Sequence, residues 1–205
     1  EPKPMHVGVV GLGIGTVSAY MRDDDRIRFY EINPQVEDIA RKHFTYLSDC
    51  KGEEKVILGD ARISMENEWN EAGSQEFDAL IVDAFSGDSI PIHLLTVEAL
   101  ELYEKHLKEN GVIAIHVSNL HLNLSDLVHN LADHTGWTAT RVEFDPDYEQ
   151  HMLYYSDWVL LSRDDEFHAM LELKGYPSYW YKALPEDLIW TDDYSNLLHV
   201  IDWEE

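Results

Sequence analysis

The sequence predicts an α/β fold in which a sheet of mainly parallel strands carries helices on both faces. Three observations indicate it: apolar segments alternate with amphipathic ones, two apolar segments are nearly continuous, and a glycine-rich turn follows the first apolar segment. Nearly continuous apolar strands are typical of parallel sheets that are buried on both faces. We therefore expect one doubly wound domain over residues 1–205.

The first half of the chain gives three strand–helix pairs. A short apolar run ends at Gly11, and Pro34 suits the first position of a helix. In order, the pairs are strand His6–Val10 with helix Gly15–Met21, strand Arg26–Ile32 with helix Pro34–Phe44, and strand Lys55–Leu58 with helix Arg62–Trp69.

The second half continues the alternation and ends less regularly. An amphipathic segment should end at Asn110-Gly111, and a later helix should end at Gly136. In order, the elements are strand Phe77–Val82, helix Thr96–Leu107, strand Val112–Val117, helix Leu124–His134 and strands Thr138–Phe144 and Trp158–Ser162. A short helix at Glu166–Leu173 opens an otherwise irregular C-terminal segment, residues 164–205.

Charge narrows the range of partners. Fifteen basic residues stand against 40 acidic ones, giving a net charge of −25. Such a surface repels phosphate backbones and anionic membranes, and it attracts cations such as polyamines and sulfonium compounds. The acidic residues are scattered along the chain, which favours the other interpretation, a solvated acidic surface that serves solubility or a salty environment. No apolar run is long enough to cross a bilayer, so we expect no membrane insertion.

The single cysteine and the histidines predict neither a disulfide nor a metal site. Cys50 has no partner for an internal disulfide, which suits a reducing compartment and a cytoplasmic location. The eleven histidines form no H-E-x-x-H motif, and we expect no metal. We expect His93 and His116, which lie near strand ends, to be ordinary hydrogen-bonded histidines, with substrate contact as the alternative.

A glycine loop lies at the first strand-to-helix junction, where open α/β sheets bind nucleotide-type ligands. Gly11, Gly13 and Gly15 form G-x-G-x-G, and Thr16 stands where a dinucleotide fingerprint requires glycine. This form is usual in sites for S-adenosylmethionine. The alternative is a plain tight turn.

Acidic residues end the next three strands. Glu31 comes twenty residues after Gly11, where a carboxylate can accept both ribose hydroxyls. Asp60 follows the third strand, where an acid can accept the exocyclic amine of adenine, and Asp83 follows the fourth. Together with the glycine loop, these residues predict a site for an adenosine moiety.

These motifs resemble the spermidine synthase-like proteins, particularly the domain often fused to a transporter-like membrane region. The segments that carry the resemblance are Val7–Thr16, Phe29-Tyr-Glu-Ile-Asn-Pro34, Leu58-Gly-Asp-Ala-Arg62, Val82–Leu95 and Trp190-Thr-Asp-Asp-Tyr-Ser-Asn196. The resemblance implies the Rossmann-like class I methyltransferase fold, with seven strands of which the last is antiparallel. It also implies aminopropyl transfer from decarboxylated S-adenosylmethionine to a polyamine-type amine, and a possible homodimer. The family's usual small N-terminal β-domain is expected to be missing before the first strand, so part of the amine site is expected to be absent. The expected location is cytoplasmic, either as this domain or as the cytosolic domain of a larger membrane-fused protein.

The resemblance assigns roles position by position. It places Gly11, Gly13, Gly15, Glu31, Asp60 and Ala61 in the nucleoside site. Asp83 matches the acid that accepts the amine proton and also borders the donor. Asp88 stands in for the second acid of the family's Asp-x-x-Asp-Pro motif, at a longer spacing.

One position departs from the family in a way that concerns the donor. Typical spermidine synthases have an aspartate in the glycine loop that binds the donor's aminopropyl ammonium, and this chain has Ile14. That aspartate would repel the carboxylate of intact S-adenosylmethionine. The sequence therefore leaves the donor open between decarboxylated and intact S-adenosylmethionine. Methyl transfer from the intact form is one alternative function, and a non-catalytic binding domain is another.

The acceptor is expected near the C-terminus. Asp192 and Asp193 are predicted to bind a distal ammonium of a polyamine, with Tyr194 and Trp190 packing its methylenes. The alternative is that Thr191 and Asp192 cap a terminal helix that begins near Asp193.

Overall fold

The computed structural model describes residues 3–85, 90–119, 121–145, 154–176 and 182–201. Seven strands form one sheet: β1 His6–Val10, β2 Arg26–Glu31, β3 Glu53–Leu58, β4 Phe77–Val82, β5 Leu107–His116, β6 Thr138–Phe144 and β7 Ser156–Ser162. Their order in the sheet is β3-β2-β1-β4-β5-β7-β6. Strand β7 runs antiparallel to both of its neighbours, so the sheet is mixed as expected.

Within the described residues, five α-helices connect or follow the strands. They are α1 Pro34–His43, α2 Ala61–Ala72, α3 Val97–Lys105, α4 Leu124–Thr135 and α5 Asp165–Leu173. Short 3-10 helices cover Thr16–Tyr20, Ile92–Leu94 and Leu197–His199. The predicted seven-stranded α/β fold is confirmed.

The chain divides into two compact units. The first comprises Glu1–Ala84 and Leu102–Gly111, and the second comprises Phe85–Glu101 and Val112–Glu205.

In the first unit, the parallel strands finish at a common edge. All five residues of β1 are buried, and Val10 lies opposite both Tyr30 of β2 and Val82 of β4. Strand β3 pairs with β2 so that Leu58 lies opposite Glu31. Because parallel strands in register end together, the residues that follow β1, β2, β3 and β4 lie along one edge of the sheet.

Two of the helices in this unit begin with side-chain caps that the sequence pattern favours. The Asn33 side chain accepts a hydrogen bond from the Gln35 N–H, and Pro34 takes the first position of α1. The Asp60 carboxylate accepts from the Ile63 N–H at the start of α2. Each cap satisfies a backbone donor that a helix leaves unpaired, and each fixes where its helix begins.

In the second unit, β7 lies between β5 and β6, and α4 packs on β6 and β7. Residues Leu124–Ala132 of α4 are all buried. Asn123 caps its start, and Gly136 ends it in the left-handed conformation, as the sequence predicted. The expected short helix near Glu166 is α5, which is capped by Asp164.

The predicted end of α3 was wrong. The helix stops at Lys105, and Asn110-Gly111 lies inside β5 instead of ending a helix. The cause is His106, whose ring nitrogens contact the Gln75 N–H at 3.2 Å and the Met65 carbonyl oxygen at 3.0 Å. Its carbonyl oxygen also accepts the Phe77 N–H, so tertiary hydrogen bonds end the helix before the local turn signal.

Candidate functional site

The glycine loop after β1 adopts backbone conformations that favour glycine. Gly11, Gly13 and Gly15 have φ angles of +98°, +53° and +82°. A Cβ atom on Gly11 would lie 2.3 Å from the Asp83 carbonyl oxygen, so no larger residue fits there. Among the described atoms, none lies within 4 Å of the corresponding position on Gly13. The loop is therefore closed against β4 at one end and exposes its backbone in the middle.

Glu31 connects the glycine loop to the end of β2. Its side chain is buried, and Oε2 accepts the Leu12 N–H at 3.0 Å while Oε1 accepts the Asn33 N–H at 2.8 Å. Each carboxylate oxygen has two lone pairs, so both can accept a further hydroxyl group. The residue thus fixes the loop and keeps the capacity to bind a diol.

Asp60 and Asp83 follow the neighbouring strands at the same edge. The Gly59 N–H donates to the Glu31 carbonyl oxygen at 2.9 Å, which places Asp60 directly beside the end of β2. The Asp83 N–H donates to the Val10 carbonyl oxygen at 2.9 Å, and the Asp83 side chain is exposed. Ala61 is buried behind Asp60. The first unit therefore brings the predicted nucleoside residues to one edge.

A polar network lies beneath this edge. The Tyr30 hydroxyl donates to Glu68 Oε2 at 2.7 Å, and the Arg28 guanidinium donates to Glu68 Oε1. Burial, followed by the hydrogen bond to Glu68, raises the pKa of Tyr30 far above its usual range. Burial also raises the pKa of Tyr103, and the charge of Asp60 acts in the same direction. Both hydroxyls therefore stay protonated at physiological pH.

The residues predicted to bind the acceptor lie in the second unit. Asp192 Oδ1 accepts the Thr96 hydroxyl at 2.9 Å, and the Asp192 N–H donates to Glu98 Oε2 at 3.0 Å. Asp192 therefore anchors its own segment to the start of α3. Asp193 and Tyr194 are exposed. Asp88, the second predicted catalytic acid, lies outside the described residues.

The alternative terminal helix near Asp193 does not form. Thr191 and Tyr194 instead exchange backbone hydrogen bonds in a tight turn, at 2.8 and 3.2 Å. The next helical turn is the 3-10 helix at Leu197–His199, and Asn196 caps it.

Two features of the edge escaped the sequence analysis. Ile32 is 70% exposed directly after Glu31, and an apolar surface there suits a flat aromatic base. The sequence signal for this surface was an apolar residue directly after the acid that ends β2. The second feature is the Leu12 N–H that holds Glu31, for which the sequence contains no signal because every residue except proline has a backbone donor.

His116 is a hydrogen-bonded histidine of the second unit. Its Nε2 lies 2.7 Å from the Ser118 hydroxyl, and its ring stacks on Trp158 with centroids 4.5 Å apart. Phe85 meets the ring edge-on at 4.8 Å. Its placement matches the expectation of an ordinary polar contact.

Two further observations concern metals and membranes. The described part of the chain contains no group of three histidine, cysteine or acidic side chains arranged to hold a metal ion. Within the same residues, no helix combines the length and apolar character needed to span a bilayer.

Curated proteins of two activities are similar to part of this chain. A polyamine aminopropyltransferase of Vibrio vulnificus is 32% identical over 118 residues, which is 55% of this chain and 38% of that protein. An N-terminal histidine N-methyltransferase of Emericella nidulans is 32% identical over 108 residues, 52% of this chain and 19% of that protein. A putrescine N-methyltransferase of Nicotiana attenuata is 28% identical over 128 residues, 60% of this chain and 33% of that protein. The matches thus span less than two fifths of each relative, and no protein-family model matches the chain.

Solved structures share the fold over most of the chain. A probable spermidine synthase from Corynebacterium glutamicum superposes with a TM-score of 0.61 at 20% identity, covering 78% of this chain and 57% of that one. A spermidine synthase in complex with the transition state analogue AdoDATO gives 0.59 at 17% identity, with 80% and 54% covered. Human methyltransferase-like protein 13 in complex with SAH gives 0.64 at 16% identity, with 88% and 86% covered.

The chain therefore has the class I S-adenosylmethionine-dependent methyltransferase fold. Its likeness to aminopropyltransferases and spermidine synthases makes that fold spermidine synthase-like.

Proposed function

We propose that this chain is a transferase domain that moves an aminopropyl or related alkyl group from decarboxylated S-adenosylmethionine to a polyamine-type amine. The observation that carries the proposal is the edge built by Gly11, Glu31, Asp60 and Asp83 within one unit. Its curated relatives, which include a polyamine aminopropyltransferase and two N-methyltransferases, are all transferases, and this supports an enzyme.

The residues of the edge suit each part of an adenosyl sulfonium. The Glu31 oxygens accept the ribose hydroxyls, and Asp60 accepts the exocyclic amine of adenine. Ile32 supplies an apolar surface for the base. The exposed backbone at Gly13 lets the ligand approach the loop closely.

The reaction needs a neutral amine positioned in line with the donor carbon. The amine lone pair forms a bond to the carbon attached to sulfur, the carbon–sulfur bond breaks, and the electron pair leaves on the sulfur of methylthioadenosine. A free amine has a pKa of about 10, so its proton must be removed, and the exposed Asp83 carboxylate takes it. The excess of acidic residues favours accumulation of a cationic acceptor.

Ile14 favours a second candidate, alkylation by intact S-adenosylmethionine. An apolar side chain in the glycine loop neither attracts the ammonium of the decarboxylated donor nor repels a carboxylate. The likeness to a putrescine N-methyltransferase supports methyl transfer to the same class of amine.

Calorimetric titration of the chain with decarboxylated and with intact S-adenosylmethionine separates the candidates. Tighter binding of the decarboxylated form supports aminopropyl transfer, and tighter binding of the intact form makes methyl transfer the better assignment. If neither form binds, the proposed transferase function is wrong. Binding without turnover of any amine would identify a non-catalytic domain.

Ile14→Asp tests whether this position selects the donor. A carboxylate there attracts the ammonium and repels the carboxylate of the intact form, so we expect the affinity ratio to shift at least about tenfold toward the decarboxylated form. Ile14→Asn is the matched control, because it has the same shape without the charge. Equal ratios in the two variants would exclude position 14 from donor selection.

A further inference from the structure

Leu47 is a buried side chain in the connection between α1 and β3. Only 4% of its surface is exposed, although it lies in a loop. The loop closes on itself, since the Asp49 N–H donates to the Thr45 carbonyl oxygen at 2.7 Å and the Ser48 hydroxyl donates to the same oxygen at 2.9 Å. Leu47 is therefore held in place by its own turn.

This side chain presses directly on the glycine loop. A Cβ atom on Gly15 would lie 2.8 Å from Leu47 Cδ2 and 2.9 Å from Leu47 Cγ. Leu12, at the other end of the loop, belongs to the same apolar cluster as Leu47 and Met21. The loop thus contacts Leu47 at Gly15, and its Leu12 side chain belongs to the apolar cluster that includes Leu47.

Hydrogen bonds also restrain the glycine loop, in addition to its apolar contact with Leu47. Glu31 accepts the Leu12 N–H at 3.0 Å, and the Gly15 N–H donates to the Leu12 carbonyl oxygen at 2.9 Å. The Gly15 carbonyl oxygen also accepts the Ser18 N–H at 3.0 Å, so both backbone bonds of Gly15 go to residues of its own short segment. Leu47 is its contact with a different part of the chain. Removing Leu47 would leave the Gly15 end free to move toward the vacated volume.

We propose that Leu47 is a positioning residue for the nucleoside site. It holds the glycine loop in the position that ligand binding requires and does not itself contact the ligand. The inference rests on the proposed function, in which this loop binds an adenosyl ligand. Displacements of about 1 Å at a binding loop reduce function strongly. A residue outside the site that fixes the loop can therefore determine the affinity for the ligand.

The test measures binding of S-adenosylhomocysteine by calorimetry at a temperature where every variant is folded. We expect Leu47→Ala to weaken binding about tenfold or more and Leu47→Met, which keeps the volume, to restore most of it. Leu80→Ala is the matched control, because Leu80 is a fully buried leucine of β4 that packs against Gly8 within the sheet. It should lower the melting temperature without weakening binding.

A double substitution gives a readout that general destabilisation does not produce. Gly15→Ala strains the backbone at φ +82° in any background, but its methyl group collides with Leu47 only when Leu47 is present. The loss of affinity caused by Gly15→Ala should therefore be at least about threefold smaller in the Leu47→Ala background.

The outcomes separate the two proposals. Wild-type affinity in Leu47→Ala, equal weakening by Leu80→Ala, or strictly additive effects in the double variant would each overturn the positioning role. A wild-type chain that binds no adenosyl compound overturns the proposed function itself, and the inference with it.

Discussion

Asp83 performs separate tasks with its backbone and its side chain. Its carbonyl oxygen closes on Gly11, and its N–H donates to Val10, so the peptide groups on both sides are fixed by the sheet. The carboxylate itself is exposed. A change of the side chain should therefore leave the edge of the sheet intact.

Asp83→Asn should abolish transfer while leaving nucleoside binding nearly unchanged. The amide keeps the shape but cannot take the amine proton, so we expect the transfer rate to fall at least about 100-fold. The affinity for S-adenosylhomocysteine should stay within about threefold, since the backbone contacts persist. Product formation and calorimetry measure the two quantities.

Asp23→Asn serves as the control for lost negative charge, because Asp23 is an exposed acid in the turn before β2. It should change neither quantity. A normal transfer rate in Asp83→Asn would remove Asp83 from the mechanism.

At this scale, the sequence identified which residues stand at the strand ends but not what each one contacts. The positions of Glu31 and Asp60 follow from where apolar runs end. The bond from Leu12 to Glu31 depends on the path of the loop in space. Asp192 illustrates the same limit, since its bond to the Thr96 hydroxyl joins residues 96 positions apart.

Among the elements, helix α4 does more than cover the sheet. Asp126 Oδ2 accepts the Ala183 and Leu184 N–H groups at 2.7 and 3.2 Å, and the Asn123 side chain at 2.9 Å. One turn later, the Asn130 side chain donates to the Pro185 carbonyl oxygen at 2.8 Å. Polar residues on a buried helix thus satisfy backbone groups of the segment 182–201, which contributes no strand to the sheet within that described range.

Asp126→Ala should destabilise the second unit severely. The substitution removes the acceptor of three donors at a site where the carboxylate is 2% exposed, so we expect a loss of about 2–4 kcal/mol in the free energy of unfolding. Urea denaturation measures it.

Asp133→Ala on the same helix is the comparison, because its carboxylate is 58% exposed and pairs with Lys182 at the surface. That loss should stay under about 1 kcal/mol. Similar losses in the two variants would contradict the anchoring role of Asp126.

The helices also show what local sequence can and cannot predict. The end of α4 followed from the Gly136 stop signal, and a distant contact agrees with it, since the Arg163 guanidinium donates to the Thr135 carbonyl oxygen at 3.1 Å. The end of α3 did not follow from Asn110-Gly111, because the buried ring of His106 binds Gln75 and Met65, which lie more than 30 positions earlier. Local turn signals hold only where tertiary hydrogen bonds agree with them.

Across the whole molecule, buried histidines make stability depend on pH. Burial is the first cause that lowers the pKa values of His6, His106 and His129 below the usual value near 6.5. In the pH range below about 6.5, the unfolded chain binds protons that the folded chain does not, so the folded state loses stability as the pH falls. The loss stops once the pH lies below the folded-state pKa values.

The melting temperature should therefore fall steadily between about pH 7 and pH 5. A neutral His106 is required, because its Nδ1 accepts the Gln75 N–H. His106→Gln should lower the melting temperature at pH 8 and flatten its dependence on pH. An unchanged slope in that variant would mean that His106 does not contribute.

A separate loss is expected in stronger acid. The Arg22 guanidinium, which binds the Asp25 carboxylate at 2.8 Å, holds the pKa of Asp25 well below its usual range. A lowered carboxyl pKa contributes stability above the unfolded value near 4, and that contribution disappears as the pH falls through and below this value.

The strand order of the second unit also has a consequence for biosynthesis. Strand β6 is translated before β7, yet its only described partner in the sheet is β7, which lies between β6 and β5. On the ribosome, β6 therefore cannot pair with a neighbouring strand until β7, which ends at Ser162, has left the exit tunnel. The two strands then enter the sheet as a pair, and a nascent chain stalled before Ser156 would present β6 as an unpaired edge to chaperones.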